Sequence, residues 1–265
     1  MRFHKAIRLC AIVVCTPAMA ESPFTGAWVA DLDTQSGLSA DIYLVADGRY
    51  SCKSCTPPRS YLADGKPHQV AGDPDVTSEA VTISGPRSII THIVSPALDR
   101  TTTMTVAPDN QTATYVSIDH RPGVNVPLRT EYLARRVLPA PTGAHATSGT
   151  WQGVRYVTAP AEVRTEELRV SGSKLIYHTP LGSSCTARLG GGYVPVHTAD
   201  GGSYLAAFRK LAPRQIEERI REGEKLVAIR TFTVATDGRS MEITTSHADG
   251  GSTFRITARR QSLPR

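Results

Sequence analysis

The cysteines offer the clearest candidate chemistry in this sequence. Cys52 and Cys55 are separated by two residues, a spacing that suits a disulfide, a pair of free thiols, or a redox or metal site. A thiol–disulfide exchange site would place the pair at the start of a helix. Here a Thr-Pro-Pro sequence follows, and consecutive prolines remove backbone donors and favour extended chain. The pattern favours a structural disulfide between Cys52 and Cys55 over free thiols and over a redox or metal role, and Cys185 is expected to be buried.

Other residues capable of catalysis are scattered rather than clustered. Asp31 and Asp33 could form an acid–base pair, but carboxylates at a strand end are ordinarily solvated. Gly190 to Gly192 precede a predicted strand, whereas a phosphate loop needs a helix behind it. The histidines occur singly, without a spacing that gives a metal two ligands from one element. We therefore predict no catalytic residues, no metal ligands and no cofactor. The histidines concerned are His68, His92, His120, His145, His178, His197 and His247.

The first twenty residues resemble a secretory signal peptide. Arg2, Lys5 and Arg8 precede a short apolar run at 10–15, and Ala18-Met19-Ala20 has the small residues of a cleavage site. The prediction is export to the periplasm or outside the cell, with cleavage near Ala20. No later run approaches the roughly 18 apolar residues that a membrane span requires, so no membrane span is expected.

The charge of the chain argues against nucleic acid as a partner. Three of its 30 basic residues lie in the predicted signal peptide, which holds none of the 24 acidic ones. The remaining chain is nearly balanced, and its basic residues are interspersed with acidic ones. A nucleic-acid-binding domain would instead concentrate them on one face. We expect no nucleic-acid binding.

A repeated pattern organises the rest of the chain. Gly26-Ala27-Trp28 recurs as Gly149-Thr150-Trp151, and these are the only two tryptophans. Each segment that follows ends in an arginine pair, at Arg135-Arg136 and Arg259-Arg260. The repeat predicts two related domains, at 22–137 and 147–261, with a Pro/Gly linker at 138–146.

Each copy is predicted to be all-β. Short β-branched segments alternate with turns such as Asp47-Gly48 and Asp237-Gly238, which favour tight hairpins. Gln215 to Arg221 contains helix-forming residues, but the matching segment of the first copy, Ser88 to Val94, is β-branched, so we predict a strand there. About eight antiparallel strands in each copy favour a closed barrel, because closure removes both exposed edges.

These features resemble the lipocalin-like, or calycin, superfamily. The Gly-x-Trp at the first strand and the arginines after the last strand carry the resemblance. Each copy also resembles a group of small bacterial exported domains that are largely uncharacterised. That resemblance includes Val234-Ala235-Thr236-Asp237-Gly238 and its degraded copy at 106–110. The resemblance implies that each tryptophan plugs the barrel of its own copy and that an arginine lies across its ring. It brings no catalytic residues. The implied plug residues are Trp28, Arg135, Arg136, Trp151, Arg259 and Arg260.

The predicted function is an exported, non-catalytic binding protein that carries a small apolar molecule in one or both barrels. An eight-stranded barrel can be wide enough for one such ligand. The alternative is a structural or interaction module of the cell envelope with filled barrels, which recognises a protein partner through its hairpin loops.

Overall fold

The computed structural model describes residues 21–72, 76–95, 98–121, 126–198, 203–248, 250 and 253–261. The predicted signal peptide, at 1–20, lies outside these residues. Within them the chain forms twenty strands and a single short helix, α1 (Ala161–Arg164). The strands are β1 (Gly26–Ser36), β2 (Ala40–Ala46), β3 (Arg49–Cys52), β4 (Arg59–Leu62), β5 (His68–Gln69), β6 (Ser78–Gly85), β7 (Ser88–Val94), β8 (Asp99–Val106), β9 (Thr112–His120), β10 (Leu128–Leu138), β11 (Gly149–Thr158), β12 (Thr165–Ser171), β13 (Lys174–His178), β14 (Ser184–Arg188), β15 (Val194–His197), β16 (Ser203–Ala212), β17 (Gln215–Glu222), β18 (Lys225–Val234), β19 (Ser240–His247) and β20 (Thr253–Gln261).

The strands form two antiparallel, barrel-like sheets of ten strands each. One is a closed barrel in the order β1 followed by β12 to β20, here called the C-barrel. The other, here called the N-sheet, has the order β4-β3-β2-β11-β10-β9-β8-β7-β6-β5. The all-β prediction is confirmed, but the number of strands is ten rather than about eight. Very short strands such as β4 and β5 show too little alternation to be recognised from sequence.

The first strands of the two copies are exchanged between the sheets. β1 belongs to the first copy but pairs with β12 and β20, so that Trp28 lies opposite Glu166 and Arg260. β11 belongs to the second copy but pairs with β2 and β10, so that Trp151 lies opposite Asp41 and Arg136. Each sheet therefore contains nine strands of one copy and the first strand of the other. The copies at 22–137 and 147–261 do not coincide with the two sheets.

The exchange changes the role of the segment predicted as a linker. Residues 139–148 connect β10 to β11, which are neighbours in the N-sheet, and the backbone N–H of His145 donates to the Val45 carbonyl at 2.8 Å. The chain passes between the sheets elsewhere, at 37–39 and again at 159–164. Two crossings join the sheets, which limits their independent movement.

Each sheet encloses its own core, and each core is built around the tryptophan of the other copy. Trp28 is fully buried among C-barrel residues that include Leu168, Phe208 and Phe232. Trp151 is fully buried in the N-sheet core. The expectation that each tryptophan packs within its own copy is therefore wrong.

The segment with conflicting propensities is a strand. Gln215–Glu222 forms β17 between β16 and β18, as the comparison with the first copy predicts. Alternation places Ile216 and Glu218 inside the barrel, and both are almost completely buried. Tertiary pairing on both sides outweighs the helix propensity of its glutamate and arginine residues.

Candidate functional site

The two tryptophans are buried and hydrogen-bonded in the same way. The indole N–H of Trp28 donates to the Phe24 carbonyl at 2.8 Å, and that of Trp151 donates to the Thr147 carbonyl at 2.9 Å. Both acceptors lie four residues before the ring. The buried indoles thus keep their polar atoms paired while contributing apolar surface to the two cores.

One arginine of each predicted pair lies over an indole. The Arg260 guanidinium is 4.7 Å from the Trp28 ring centre, and that of Arg136 is 4.1 Å from the Trp151 ring centre. Both also donate to carbonyls of the segment before the tryptophan, Arg260 to Pro23 and Arg136 to Ala146 and Ser148. A stacked guanidinium adds a cation–π contribution of about 0.5–2 kcal/mol.

The other arginine of each pair points away from the indole. Arg135 is exposed on the outer face of β10. Arg259 is exposed too, and its Nε donates to Asp31 Oδ2 at 2.9 Å, which lowers the pKa of that carboxyl. Asp33 is largely exposed, at 3.7 Å from Arg155. The two aspartates are therefore partners of surface arginines rather than an acid–base pair.

The cysteines form one disulfide and one buried thiol. Cys52, at the end of β3, is bonded to Cys55. Cys185 is free and faces the C-barrel core, where burial raises the pKa of its thiol to about 11. A thiol with this pKa is protonated at neutral pH and is a poor nucleophile.

The histidines of the described residues make separate contacts. His68 contacts Asp64 and His92 contacts Asp99, both as pairs near the surface. His145 bonds with Thr147 and with the Gly85 carbonyl, and so holds the loop before β11. Across the residues that the structure describes, no three His, Cys, Asp or Glu side chains come close enough together to hold a metal ion.

A cavity of about 420 Å³ lies where the C-barrel and the N-sheet meet. Its walls combine inward-facing residues of both sheets with the loop that carries α1. The apolar part comes mainly from the C-barrel, and both sheets contribute polar side chains. The lining residues are Trp28, Ala30, Leu32, Gln35, Arg100, Ser117, Asp119, Arg121, Thr130, Tyr132, Tyr156, Ala159, Val163, Arg164, Glu166, Arg230, Ile243, Thr245, Phe254 and Ile256.

A buried ion cluster forms the wall of the cavity on the C-barrel side. Arg230, on β18, donates to Glu218 Oε2 at 3.1 Å and to Glu166 Oε1 on β12. Its guanidinium also lies 4.8 Å from the ring centre of Phe232. Glu218 is fully buried, and burial raises the pKa of its carboxyl to about 7, although Arg230 opposes that shift. Two carboxylates thus share one guanidinium in an apolar barrel.

A second ion cluster lies on the N-sheet side. Arg100 donates to both oxygens of Asp119, at 2.6 and 2.7 Å, and Arg121 approaches the same carboxylate at 3.3 Å. The arginines keep the pKa of Asp119 below its usual value despite burial, which acts in the opposite direction. Two guanidiniums here share one carboxylate, so the two ion clusters carry opposite excess charge.

Aromatic side chains fill the interior of the N-sheet. Tyr43, Tyr50 and Tyr61 lie in succession with ring centres 5.9 and 5.8 Å apart, and Tyr115 stacks on Tyr132 at 4.4 Å. The strand registers place aliphatic residues at the corresponding C-barrel positions, namely Leu168, Leu175, Ala187, Ile243 and Ile256. The smaller residues leave room in the C-barrel, whereas the tyrosines occupy it in the N-sheet.

The ion clusters were not predicted from the sequence, although a signal for one was present. Glu218 stands between Ile216 and Ile220 at every second residue of a predicted strand. A charged residue on the inward face of a strand requires a partner, because an unpaired buried charge is costly. The identity of the partner, Arg230, depends on strand pairing that the sequence does not reveal.

Comparisons with known proteins add no family assignment. Among the described residues, no helix has the length and apolar character needed to span a bilayer. No protein-family model matches the chain, and no curated protein sequence matches it either.

Proposed function

We propose that this protein is a non-catalytic binding protein that holds one small, largely apolar molecule in the cavity between its sheets. The cavity of about 420 Å³ is the observation that carries the proposal. Ligand sites are concave and mostly apolar, with a few placed polar groups, and typical volumes begin near 300 Å³. Trp28, Ile243, Phe254 and Ile256 supply the apolar surface, and Arg100, Glu166 and Arg230 supply the polar groups.

The proposal includes a lipocalin-like origin and export from the cytoplasm. The stacked Trp28–Arg260 and Trp151–Arg136 pairs support the first, since a plugged base leaves the opposite end of a barrel free for a ligand. The segment at 1–20 supports the second through its sequence alone. A periplasmic or secreted carrier is consistent with the disulfide between Cys52 and Cys55.

The experiment is ligand detection with a blocked variant and a matched control. Thr245 lines the cavity on β19, so Thr245→Trp should fill it. Glu242 lies on the same strand but is exposed outside, so Glu242→Trp adds the same side chain without filling the cavity. Native mass spectrometry of the protein from the cell envelope should show bound mass in wild type and Glu242→Trp, and none in Thr245→Trp.

The interaction module remains a second candidate because tyrosines fill the N-sheet interior. A filled barrel offers its loops, rather than its interior, for recognition. This function predicts an empty wild-type protein whose melting temperature does not change across a panel of apolar ligands. It also predicts that crosslinking in the cell envelope captures one protein partner in both Thr245→Trp and wild type.

A further inference from the structure

The buried polar atoms that lack a hydrogen-bond partner at the C-barrel end of the cavity, among the described residues, are acceptors. Glu166 Oε2, Glu218 Oε1 and Gln35 Oε1 are buried, and none of them has a hydrogen-bond partner among the residues that the structure describes. Glu166 and Gln35 line the cavity, while Glu218 lies one hydrogen bond behind it, through Arg230. Buried acceptors are costly to leave unpaired, so this end of the cavity suits a group that donates hydrogen bonds.

The buried ion cluster at this end also lacks one positive charge; Arg164 lines the cavity too, but its guanidinium donates to the Ala159 and Ala30 carbonyls. Glu166 and Glu218 face the single guanidinium of Arg230, and the surrounding side chains include Trp28 and Phe232. With both carboxylates ionised, the cluster has a net negative charge inside an apolar barrel, where solvent provides little screening. A proton on Glu218 can balance that charge, and so can a cationic group of a ligand.

The first copy provides an internal comparison. Asp41 occupies the position in the N-sheet that Glu166 occupies in the C-barrel, since each lies opposite a tryptophan. Asp41 accepts a hydrogen bond from the Tyr132 hydroxyl at 3.2 Å and does not line the cavity. Thr91 and Thr102 stand in the N-sheet where Glu218 and Arg230 pair in the C-barrel. The excess acid therefore belongs to the copy whose interior is open.

The opposite end of the cavity is less able to select a charge. Arg100 and Arg121 have an excess positive charge over Asp119, but their side chains are 36% and 24% exposed. Solvent screens partly exposed ion pairs and reduces their contribution. Glu218 is fully buried and Glu166 is 20% exposed, so the C-barrel carboxylates are expected to contribute more to ligand selection than these arginines.

On this basis, and resting on the proposed function, we infer that the ligand is an amphiphilic amine. Its ammonium group donates to Glu166 Oε2, Glu218 supplies the second negative charge, and its apolar part lies against Trp28, Ile243 and Ile256. An ammonium is a hydrogen-bond donor with one positive charge, which suits the unpaired Glu166 Oε2 and Gln35 Oε1 in the cavity and the charge missing from the ion cluster.

Glu218 couples this binding to pH. The charged and titratable groups around it are Arg230 on β18, Glu166 on β12, Tyr177 on β13, Cys185 on β14 and Tyr204 on β16. Burial raises the pKa of Tyr177, Cys185 and Tyr204, so these stay neutral near pH 7, and Arg230 stays charged. Glu218 itself changes protonation near this pH, so amine binding should release a proton from it and strengthen as the pH rises through about 7.

The test compares three probes with one alkyl chain: n-octylamine, n-octanol and n-octanoate. Calorimetry on the full mature chain should show n-octylamine binding about tenfold or more tightly than n-octanol, as expected for a charge-assisted hydrogen bond. Glu166→Gln should remove this preference, and Asp41→Asn, at the equivalent position, should keep it. In wild type, the affinity for n-octylamine should rise between about pH 6 and pH 8, whereas that for n-octanol should not change.

The outcomes separate this inference from the proposed function. If n-octanoate binds most tightly, or if n-octylamine binds no better than n-octanol, the inference of an amine ligand is overturned while a binding function stands. If none of the three binds and the ligand panel leaves the melting temperature unmoved, the binding function fails and the amine with it. The pH series is measured on the wild-type protein. It therefore still decides the test if the Glu166→Gln protein does not fold.

Discussion

At the scale of single residues, Trp28 is one of the largest fully buried side chains among the described residues. It is fully buried, its N–H is paired with the Phe24 carbonyl, and Arg260 covers its ring. Trp28→Ala should lower the free energy of unfolding by about 3–5 kcal/mol, the range for a large buried aromatic side chain. Chemical unfolding measures this loss, and Arg135→Ala, at an exposed position on β10, serves as a control with little effect.

The strands in which amide hydrogen exchange becomes faster in a tryptophan variant distinguish the exchanged arrangement of β1 from an unexchanged one. Trp28 contacts the core of the C-barrel, so Trp28→Ala should accelerate amide hydrogen exchange in β17 and β18 more than in β7 and β8. Trp151→Ala should show the reverse pattern. Faster exchange confined to β7 and β8 in Trp28→Ala would contradict the pairing of β1 with β12 and β20.

Glu218 should make stability depend on pH. Its pKa in the folded protein is raised from 4.5 to about 7, so the folded state binds more protons than the unfolded state between these values. Stability should therefore decrease as the pH rises from about 4.5 through about 7. Urea unfolding across this range should show the decrease, and Glu218→Gln should reduce it. Burial also raises the pKa of Asp41, so a smaller dependence of stability on pH should remain in Glu218→Gln. An unchanged slope in Glu218→Gln would contradict the assignment.

At the scale of elements, the turn residues were the most informative part of the sequence. Asp47-Gly48 joins β2 to β3 and Asp237-Gly238 lies between β18 and β19, as predicted, because positive φ angles at these positions need glycine or aspartate. The segment at Gln215 was assigned correctly through its counterpart in the first copy. The short strand β4 was missed, whereas the strand predicted after Gly190 to Gly192 is present as β15.

Strand exchange could not be predicted from sequence, for a physical reason. β1 and β11 occupy equivalent positions in two related sheets. The tryptophan of each strand lies opposite an acidic residue and is covered by an arginine. Exchanged and unexchanged arrangements therefore form nearly the same strand contacts and differ mainly in their connections. Residues 37–39 and 159–164 determine the outcome through their geometry. The cavity was unpredictable for the same reason, since its walls come from both sheets.

Gly37 lies in the connection at 37–39 between β1 and β2, where the backbone geometry is restrictive. Its φ is +75°, and a Cβ at this position would lie 1.9 Å from the Thr253 carbonyl oxygen. Gly48 has a similar φ of +69° but open space around it. Gly48→Ala should therefore cost about 1 kcal/mol from backbone strain alone. Gly37→Ala should cost clearly more, because the Thr253 backbone must move. Equal losses in thermal unfolding would show that the crossing at Gly37 can relax.

At the scale of the whole molecule, the exchange makes each half of the chain necessary to both sheets. The first copy completes the C-barrel with β1, and the second completes the N-sheet with β11. The two cores should therefore unfold together, unlike those of two barrels connected in tandem. A cavity shared between the sheets benefits from this arrangement, because its two walls keep a fixed separation.

A cut in the loop between β10 and β11 tests this architecture. A protease site inserted between Thr142 and Gly143 would be exposed, and cleavage there divides the chain into its two copies. The copies should stay together as one species in native size-exclusion chromatography and separate only in denaturant, because each has donated a strand of about ten residues to the other's sheet. The uncut protein should elute at the same volume. Tandem barrels without exchange would have no strand pairing across the cut, so separation of the halves under native conditions would contradict the exchange.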